Sequence, residues 1–190
     1  MKTPLTSKRK NVAVILGSKK LPLPSRSKDW YYERLTAYCR ENCEVYAFNM
    51  HERDIDDDGE IKFLHIHMAM IMKSKDKRLS VIMNALAKVC EIDSQSIQID
   101  EMTSLVGSTQ YLIHKRNPEK TQYLMSEIQT NMSDDELNTI MESDEDTMSV
   151  TYLISVCKEC RCNRIEIMKK IGLNFYHHYR LVIKDICDTL

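Results

Sequence analysis

Apolar and polar residues alternate in several short stretches of this chain, and helical spacing fills most of the intervals between them. Asn11 to Gly17 (NVAVILG) is a compact apolar run that predicts a strand, and LPLPSRS after it is a Pro/Ser loop. Asp29 to Asn42 has helical spacing, with Trp30, Leu35 and Tyr38 expected to face inward and Ser27 or Asp29 to cap. Glu44 to Met50 (EVYAFNM) reads as a second strand that leads directly into His51. The turn signal Asp56-Asp57-Asp58-Gly59 separates it from a third strand, Lys62 to Met72. In that strand Leu64, Ile66, Met68 and Met70 alternate with Phe63, His65, His67 and Ala69. One face is therefore apolar and the other carries both histidines, which predicts helices on the first face and an open second face.

Asp76 to Val89 follows as a helix with Leu79, Ile82, Met83, Leu86 and Val89 on one side. Ser96 to Met102 (SIQIDEM) alternates again and makes a fourth strand. Ser104 is an N-cap for a helix running through His114 or Lys115, ended by Asn117-Pro118. Thr121 to Ile128 adds a further strand. The acidic stretch Ser133 to Asp146 changes the character of the chain, and from Val150 onward the spacing is helical with a break at Gly172. The expected division is a flexible basic arm over 1–10, a catalytic domain over 11–131 and a helical module over 132–190. Within the module, Ile165, Met168 and Ile171 are expected to pack against Phe175, Tyr179 and Val182 as helix, turn, helix. Arg164, Lys169, Lys170, His177, His178, Arg180 and Lys184 would form a basic surface. That pair reads either as a DNA-reading helix-turn-helix or as a subunit-assembly module.

Composition adds bounds. A chain of 190 residues, 29% charged and 43% apolar, is an ordinary globular protein with room for one good core and an appendage. The net charge of -1 means that any contact with nucleic acid comes from local basic patches. No run approaches the ~18 apolar residues needed to span a bilayer, and the N-terminus has no apolar signal segment. Seven cysteines then read as free thiols in a reducing cytoplasm. Cys157, Cys160 and Cys162 lack a second pair at zinc-ligand spacing and read as thiols, as do Cys39 and Cys43.

The chemistry concentrates around the histidine strand. His65 and His67 share a face about 7 Å apart by rise per residue, and antiparallel pairing through the acidic turn brings His51 and Asp54 alongside. Three imidazoles and a carboxylate suit one divalent ion with positions left open for phosphate oxygens. A lone histidine on a strand is usually a polar surface residue, so this reading rests on four donors falling on two adjacent strands. Downstream, Gly107, Tyr111, His114 and Lys115 fall on one face if the helix runs through them. Gly107 would leave room for a DNA backbone, and Lys115 would steady the phosphate or the phenolate. A tyrosine hydroxyl needs a metal-polarised phosphate or a nearby cation to attack a phosphodiester at neutral pH. The competing reading is a packed tyrosine with its hydroxyl at the surface.

Three blocks in this order resemble the rolling-circle replication initiators of plasmids, the RepB-like family of the HUH endonuclease superfamily. NMHERDIDDDG is similar to that family's metal motif, FLHIHMAM to its histidine–hydrophobic–histidine strand, and QYLIHKRNPEKTQY to its tyrosine block. The resemblance covers roughly residues 11–131. It implies an α+β fold, an antiparallel sheet of about five strands flanked by helices. It also implies a manganese or magnesium ion held by His51, Asp54, His65 and His67, with Tyr111 as the nucleophile. Tyr123 matches the trailing tyrosine of the block. The implied activity is nicking of one strand at a plasmid origin, giving a 5′-phosphotyrosine and a 3′-hydroxyl primer. The implied partners are duplex and single-stranded origin DNA, a host helicase and polymerase, and further copies of the chain. No phosphate-binding G-x-x-x-x-G-K-[ST] loop is present, so unwinding falls to the helicase. The sequence departs from the family where Lys62-Phe63-Leu64 stands in place of Lys-Pro or Lys-Lys, and in its basic arm. Related readings are a single-tyrosine relaxase or transposase, and an origin-binding repressor that does not cut.

Overall fold

The computed structural model describes residues 4–55, 59–143, 150–171 and 173–190, which form two compact units, Met1–Met132 and Ser133–Leu190. The first unit is built on a five-stranded antiparallel sheet: β1 (Asn11–Leu16), β2 (Cys43–His51), β3 (His65–Met72), β4 (Ile97–Glu101) and β5 (Gln129–Thr130). The strand order is β4-β1-β3-β2-β5, so the histidine strand is central. Three helices accompany it, α1 (Lys28–Asn42), α2 (Leu79–Cys90) and α3 (Leu105–Tyr111). The expected α+β class and five-stranded sheet are both present.

Register explains the two faces. Val14 pairs with Met68 and Leu16 with Ile66 on one side of β3, and Phe48 pairs with Met68 and Met50 with Ile66 on the other. Those residues share the apolar face with Ile97 and Ile99, and α1 and α2 cover it with Tyr31, Leu35, Tyr38, Leu79, Ile82 and Leu86. Ser27 caps α1, its hydroxyl accepting from the Trp30 N–H. Trp30 is only half-buried, and the guanidinium groups of Arg26 and Arg34 lie over its ring. Tyr31 takes the core position, closing the Pro24 carbonyl with its hydroxyl at 2.9 Å.

The opposite face carries Asn49, His51, His65 and His67, and it is less open than alternation alone predicts. Asn49 Nδ2 donates to the Leu112 carbonyl at 2.9 Å, which holds the end of α3 against this face. His51 and His65 are buried, and His67 is half-buried.

Four boundaries differ from the expected ones. β3 begins at His65 rather than Lys62, because the residues before it form an arm of the acidic turn: Ile55 bridges Ile61 and the Lys62 N–H reaches the Asp54 carbonyl at 2.7 Å. Asp56 to Asp58 of that turn lie outside the described residues; Gly59, with φ of 83°, takes the left-handed backbone that glycine allows. α2 begins at Leu79 rather than Asp76, after Arg78, which offers no side-chain cap. Its first N–H groups are met instead by main chain of the N-terminal arm: Leu79 donates to the Ser7 carbonyl and Ser80 to the Leu5 carbonyl, each at 3.0 Å. Three cations of the arm are paired as well, Arg9 with Glu101 and Lys10 with Glu44 at 2.7 Å, and Lys8 with Asp76 at 3.8 Å.

The strand expected over Thr121 to Ile128 is absent. Met125–Glu127 is a single 3₁₀ turn, and β5 is the two-residue segment beyond it, pairing with Ala47 and Phe48. The polar groups of 121–127 serve the site instead, as described below. The helix through Tyr111 stops at that residue rather than at Asn117-Pro118. The Lys115 N–H bonds the Gln110 carbonyl and the His114 N–H the Tyr111 carbonyl, both at 3.1 Å, with His114 left-handed at φ of 55°. This is the bond pattern of a Schellman stop, built with histidine where glycine is usual.

The second unit holds four helices among its described residues: α4 (Asp134–Glu142), α5 (Val150–Glu159), α6 (Arg164–Ile171) and α7 (Leu173–Thr189). α4 starts at a reciprocal cap in which Ser133 and Glu136 each bond the other's backbone N–H. α6 and α7 flank Gly172, which is outside the described residues, as are the side chains of Lys169, Ile171, Phe175, His177 and His178. Ile167, Ile183 and Ile186 are buried together with Val156 and Cys157, whereas Ile165 is 60% exposed and Val182 38%. Of the expected packing set, Ile165 and Val182 thus lie exposed, and Ile171 and Phe175 fall outside the described side chains. All seven cysteines are free thiols. No described helix is long and apolar enough to cross a membrane.

Candidate metal and nucleophile site

His51 ends β2 directly opposite His65 of β3, and Asn49 stands opposite His67. Cross-strand pairing therefore gathers the three imidazoles at one end of the sheet, with ring centroids 4.7 to 5.2 Å apart. Donor atoms of His51, His65 and His67 lie within 4.8 Å of one another. Asp54 stands to one side, within the same distance of His51 and His114. Its Oδ2 is 3.4 Å from His51 Nδ1 and 3.5 Å from His65 Nε2. The four residues expected to be ligands are thus gathered at one site, although Asp54 falls in a different compact donor set from His67.

Backbone carbonyls fix which nitrogen of each ring carries the proton, because a carbonyl only accepts. His51 Nε2 lies 2.9 Å from the Leu112 carbonyl and His65 Nδ1 2.9 Å from the Phe63 carbonyl. His51 Nδ1 and His65 Nε2 are left as lone pairs turned toward the carboxylate. A lone pair facing a carboxylate at these distances repels it unless a cation lies between them. His51 is fully buried, and its Nδ1 has no hydrogen-bond partner in the protein. That buried, orphaned nitrogen and the mixed imidazole and carboxylate donors fit a divalent ion, with the carbonyls orienting the rings.

Burial favours the neutral ring at His65, His67 and His114. Burial lowers the pKa of His67 well below its usual value, helped by its His51, His65 and His114 neighbours. His65 and His114 are lowered for the same first reason.

Tyr111, the last residue of α3, packs edge-on to His67 with centroids 5.0 Å apart. Its hydroxyl accepts from Lys120 Nζ at 3.0 Å. Lys115, the cation expected beside it, is exposed: the Schellman stop ends the helical periodicity that would have carried it onto the Tyr111 face. The chain beyond Pro118 folds back and delivers Lys120 in its place. Helical spacing gives no sign of this, since the two residues meet through a loop nine positions long.

His114, which helical spacing puts on the Tyr111 face without a role of its own, and Tyr123, which spacing missed, are the other site residues. His114 is 1% exposed and its Nδ1 lies 2.8 Å from the Thr121 carbonyl, which leaves Nε2 a buried lone pair without a partner. The Tyr123 ring stacks on His51 with centroids 4.5 Å apart and 12° between planes. Its hydroxyl donates to Asp54 Oδ1 at 3.0 Å and accepts the Arg53 N–H at 3.0 Å. The block QYLIHKRNPEKTQY thus contributes Tyr111, His114, Lys120 and Tyr123 to one cluster.

The comparisons with known proteins point the same way. Replication protein RepB of Lactiplantibacillus plantarum is 31% identical over 84 residues, 43% of this chain and 34% of that protein. The match therefore covers about a third of the relative's length. Residues 8–137 match the family described as plasmid replication protein, origin binding domain. That stretch takes in the whole sheet, the histidine cluster and the tyrosine turn, and the chain belongs to this family of plasmid replication proteins.

Proposed function

We propose that this chain is a rolling-circle replication initiator that binds its plasmid origin and nicks one strand through Tyr111. The observation that carries the reading is the placement of the Tyr111 ring 5.0 Å from His67, with Lys120 Nζ on its hydroxyl. His51, Asp54, His65 and His67 would hold a manganese or magnesium ion, which when bound would polarise the scissile phosphate. Lys120 orients the Tyr111 oxygen through its hydrogen bond. That oxygen attacks phosphorus, forming the Tyr–O–P bond while the P–O3′ bond breaks. The phenolic proton is released, the departing O3′ takes up a proton, and the product is a 5′-phosphotyrosine beside a free 3′-hydroxyl. The phosphodiester energy stays in the covalent link, so a second transfer can rejoin the strand.

Host polymerase would extend the 3′-hydroxyl and a host helicase would open the duplex. The Ser133–Leu190 unit would add DNA affinity or subunit assembly. A mobility assay of the full chain against residues 1–132, checked by sedimentation, separates those two roles.

The test of the nicking reading is a labelled single-stranded oligonucleotide spanning the nick region, incubated with manganese. Wild type should yield a covalent adduct and Tyr111→Phe none. An adduct formed by Tyr111→Phe refutes the assigned nucleophile. Binding of origin duplex without cutting in any divalent metal would favour a non-cleaving origin-binding protein.

A further inference from the structure

We propose that Tyr123 is a positioning residue for the metal centre, orienting Asp54 through its hydroxyl and His51 through its ring, and is not a second nucleophile. The inference rests on the metal reading above. The phenol has one proton and gives it to Asp54 Oδ1, while its oxygen accepts the Arg53 N–H. Attack by this oxygen would strip Asp54 of its donor and leave the Arg53 N–H without its acceptor. The residue is 4% exposed, so a phosphate has no approach to it.

The surrounding contacts hold it on both faces. One side of the ring lies flat on His51, and the Arg53 guanidinium is 4.7 Å from the ring centroid. Arg53 is itself fixed by a two-pronged bond to Glu127 at 2.8 and 2.9 Å, and its carbonyl accepts from Thr121 Oγ1 at 2.8 Å. With Oδ1 engaged, Asp54 keeps Oδ2 turned toward His51 Nδ1 and His65 Nε2. A second consequence follows from chain order. Thr121 and Tyr123 lie just beyond Lys120, so the segment that carries the Tyr111 cation also clamps the ligand-bearing turn.

Phenylalanine keeps the ring stack and removes only the hydroxyl, so Tyr123→Phe isolates the effect. Manganese affinity of the full chain, measured by titration calorimetry and by loss of the free Mn²⁺ EPR signal, should fall about 10- to 100-fold. Nicking by this variant should recover at saturating manganese, and Tyr111→Phe should bind manganese as wild type does. A Tyr123→Phe protein that binds manganese normally but nicks poorly at saturation overturns the inference, because that is the behaviour of a lost reacting group. Unchanged affinity with unchanged nicking also overturns it. A wild-type protein that binds no manganese removes the metal reading itself. Nitration of wild type, mapped by mass spectrometry, is independent of whether the variant folds: Tyr123 should stay unmodified while Tyr111 reacts. A readily nitrated Tyr123 overturns the inference as well.

Discussion

Replacing Lys120 with methionine removes the charge bonded to the Tyr111 hydroxyl while keeping most of the side chain's apolar stem. The Nζ lies 3.0 Å from the oxygen, within charge-assisted hydrogen-bond range, and 4.9 Å from the ring centroid. Such a bond is worth about 1.5–3 kcal/mol, and Lys120 is only half-buried, so solvent screening favours the lower end. If the bond strengthens as the phenolate forms, the loss appears in the rate of attack. At about 1.4 kcal/mol per tenfold, Lys120→Met should form adduct roughly 10- to 100-fold more slowly. Manganese affinity should be unchanged, since Lys120 bonds no ligand residue. Lys115→Met is the control, because Lys115 is exposed, and its rate should stay within about twofold of wild type. Single-turnover adduct formation at saturating manganese and oligonucleotide reads both. Equal effects at the two positions, or a wild-type rate for Lys120→Met, would refute the assignment.

Other expectations follow from the same geometry. His65→Ala should abolish the thermal stabilisation by manganese, which for wild type is about 2.7 kcal/mol at a hundredfold excess over Kd; differential scanning fluorimetry reads it. His114→Gly should be more stable to urea than His114→Ala by about 1 kcal/mol, the reverse of the usual order, because φ of 55° penalises any Cβ. Ser104→Ala should cost about 1 kcal/mol by urea denaturation, since its hydroxyl caps α3 at the Gly107 N–H, 2.9 Å away. Burial alone would raise Glu127, but the Leu124 N–H, Arg53 and Lys28 hold its pKa below the ordinary 4.5. Its stabilisation is therefore complete above that value and is lost as pH falls through the lower folded value. Glu127→Gln should show a smaller loss in this acid range when urea midpoints are compared.

Much of the sheet is legible because β1 to β4 each alternate apolar residues onto the face that α1 and α2 cover. The H-x-H pair is legible for the same reason: alternation forces His65 and His67 to one side. What sequence periodicity hides is where a helix stops without a glycine. The Schellman stop at His114 carries no composition signal, and missing it misplaces Lys115 and leaves Lys120 unseen. β5 is two residues long, too short for alternation to mark, while the polar atoms of 121–127 are drawn to Arg53 and Asp54 instead of to a ladder. The acidic stretch Ser133 to Asp146 does not announce α4, because its charges mask the capping-box spacing of Ser133 and Glu136. In the second unit Ile165 and Ile167 lie two apart on α6, about 200° round the helix, so burial of Ile167 turns Ile165 to solvent.

The first turn of α2 borrows its cap from the carbonyls of Leu5 and Ser7, segments of chain more than seventy positions away in sequence. Anything that displaces the N-terminal arm is therefore felt in a helix that forms one wall of the core. A tag fused close to Leu5, or a chain restarted at Asn11, would leave two amide groups exposed at the start of α2 and release Glu101, Glu44 and Asp76 from their cations. Trimming a tail that looks dispensable would thus alter the acidity of the edge strand β4 and loosen a helix on the side of the sheet opposite the histidines.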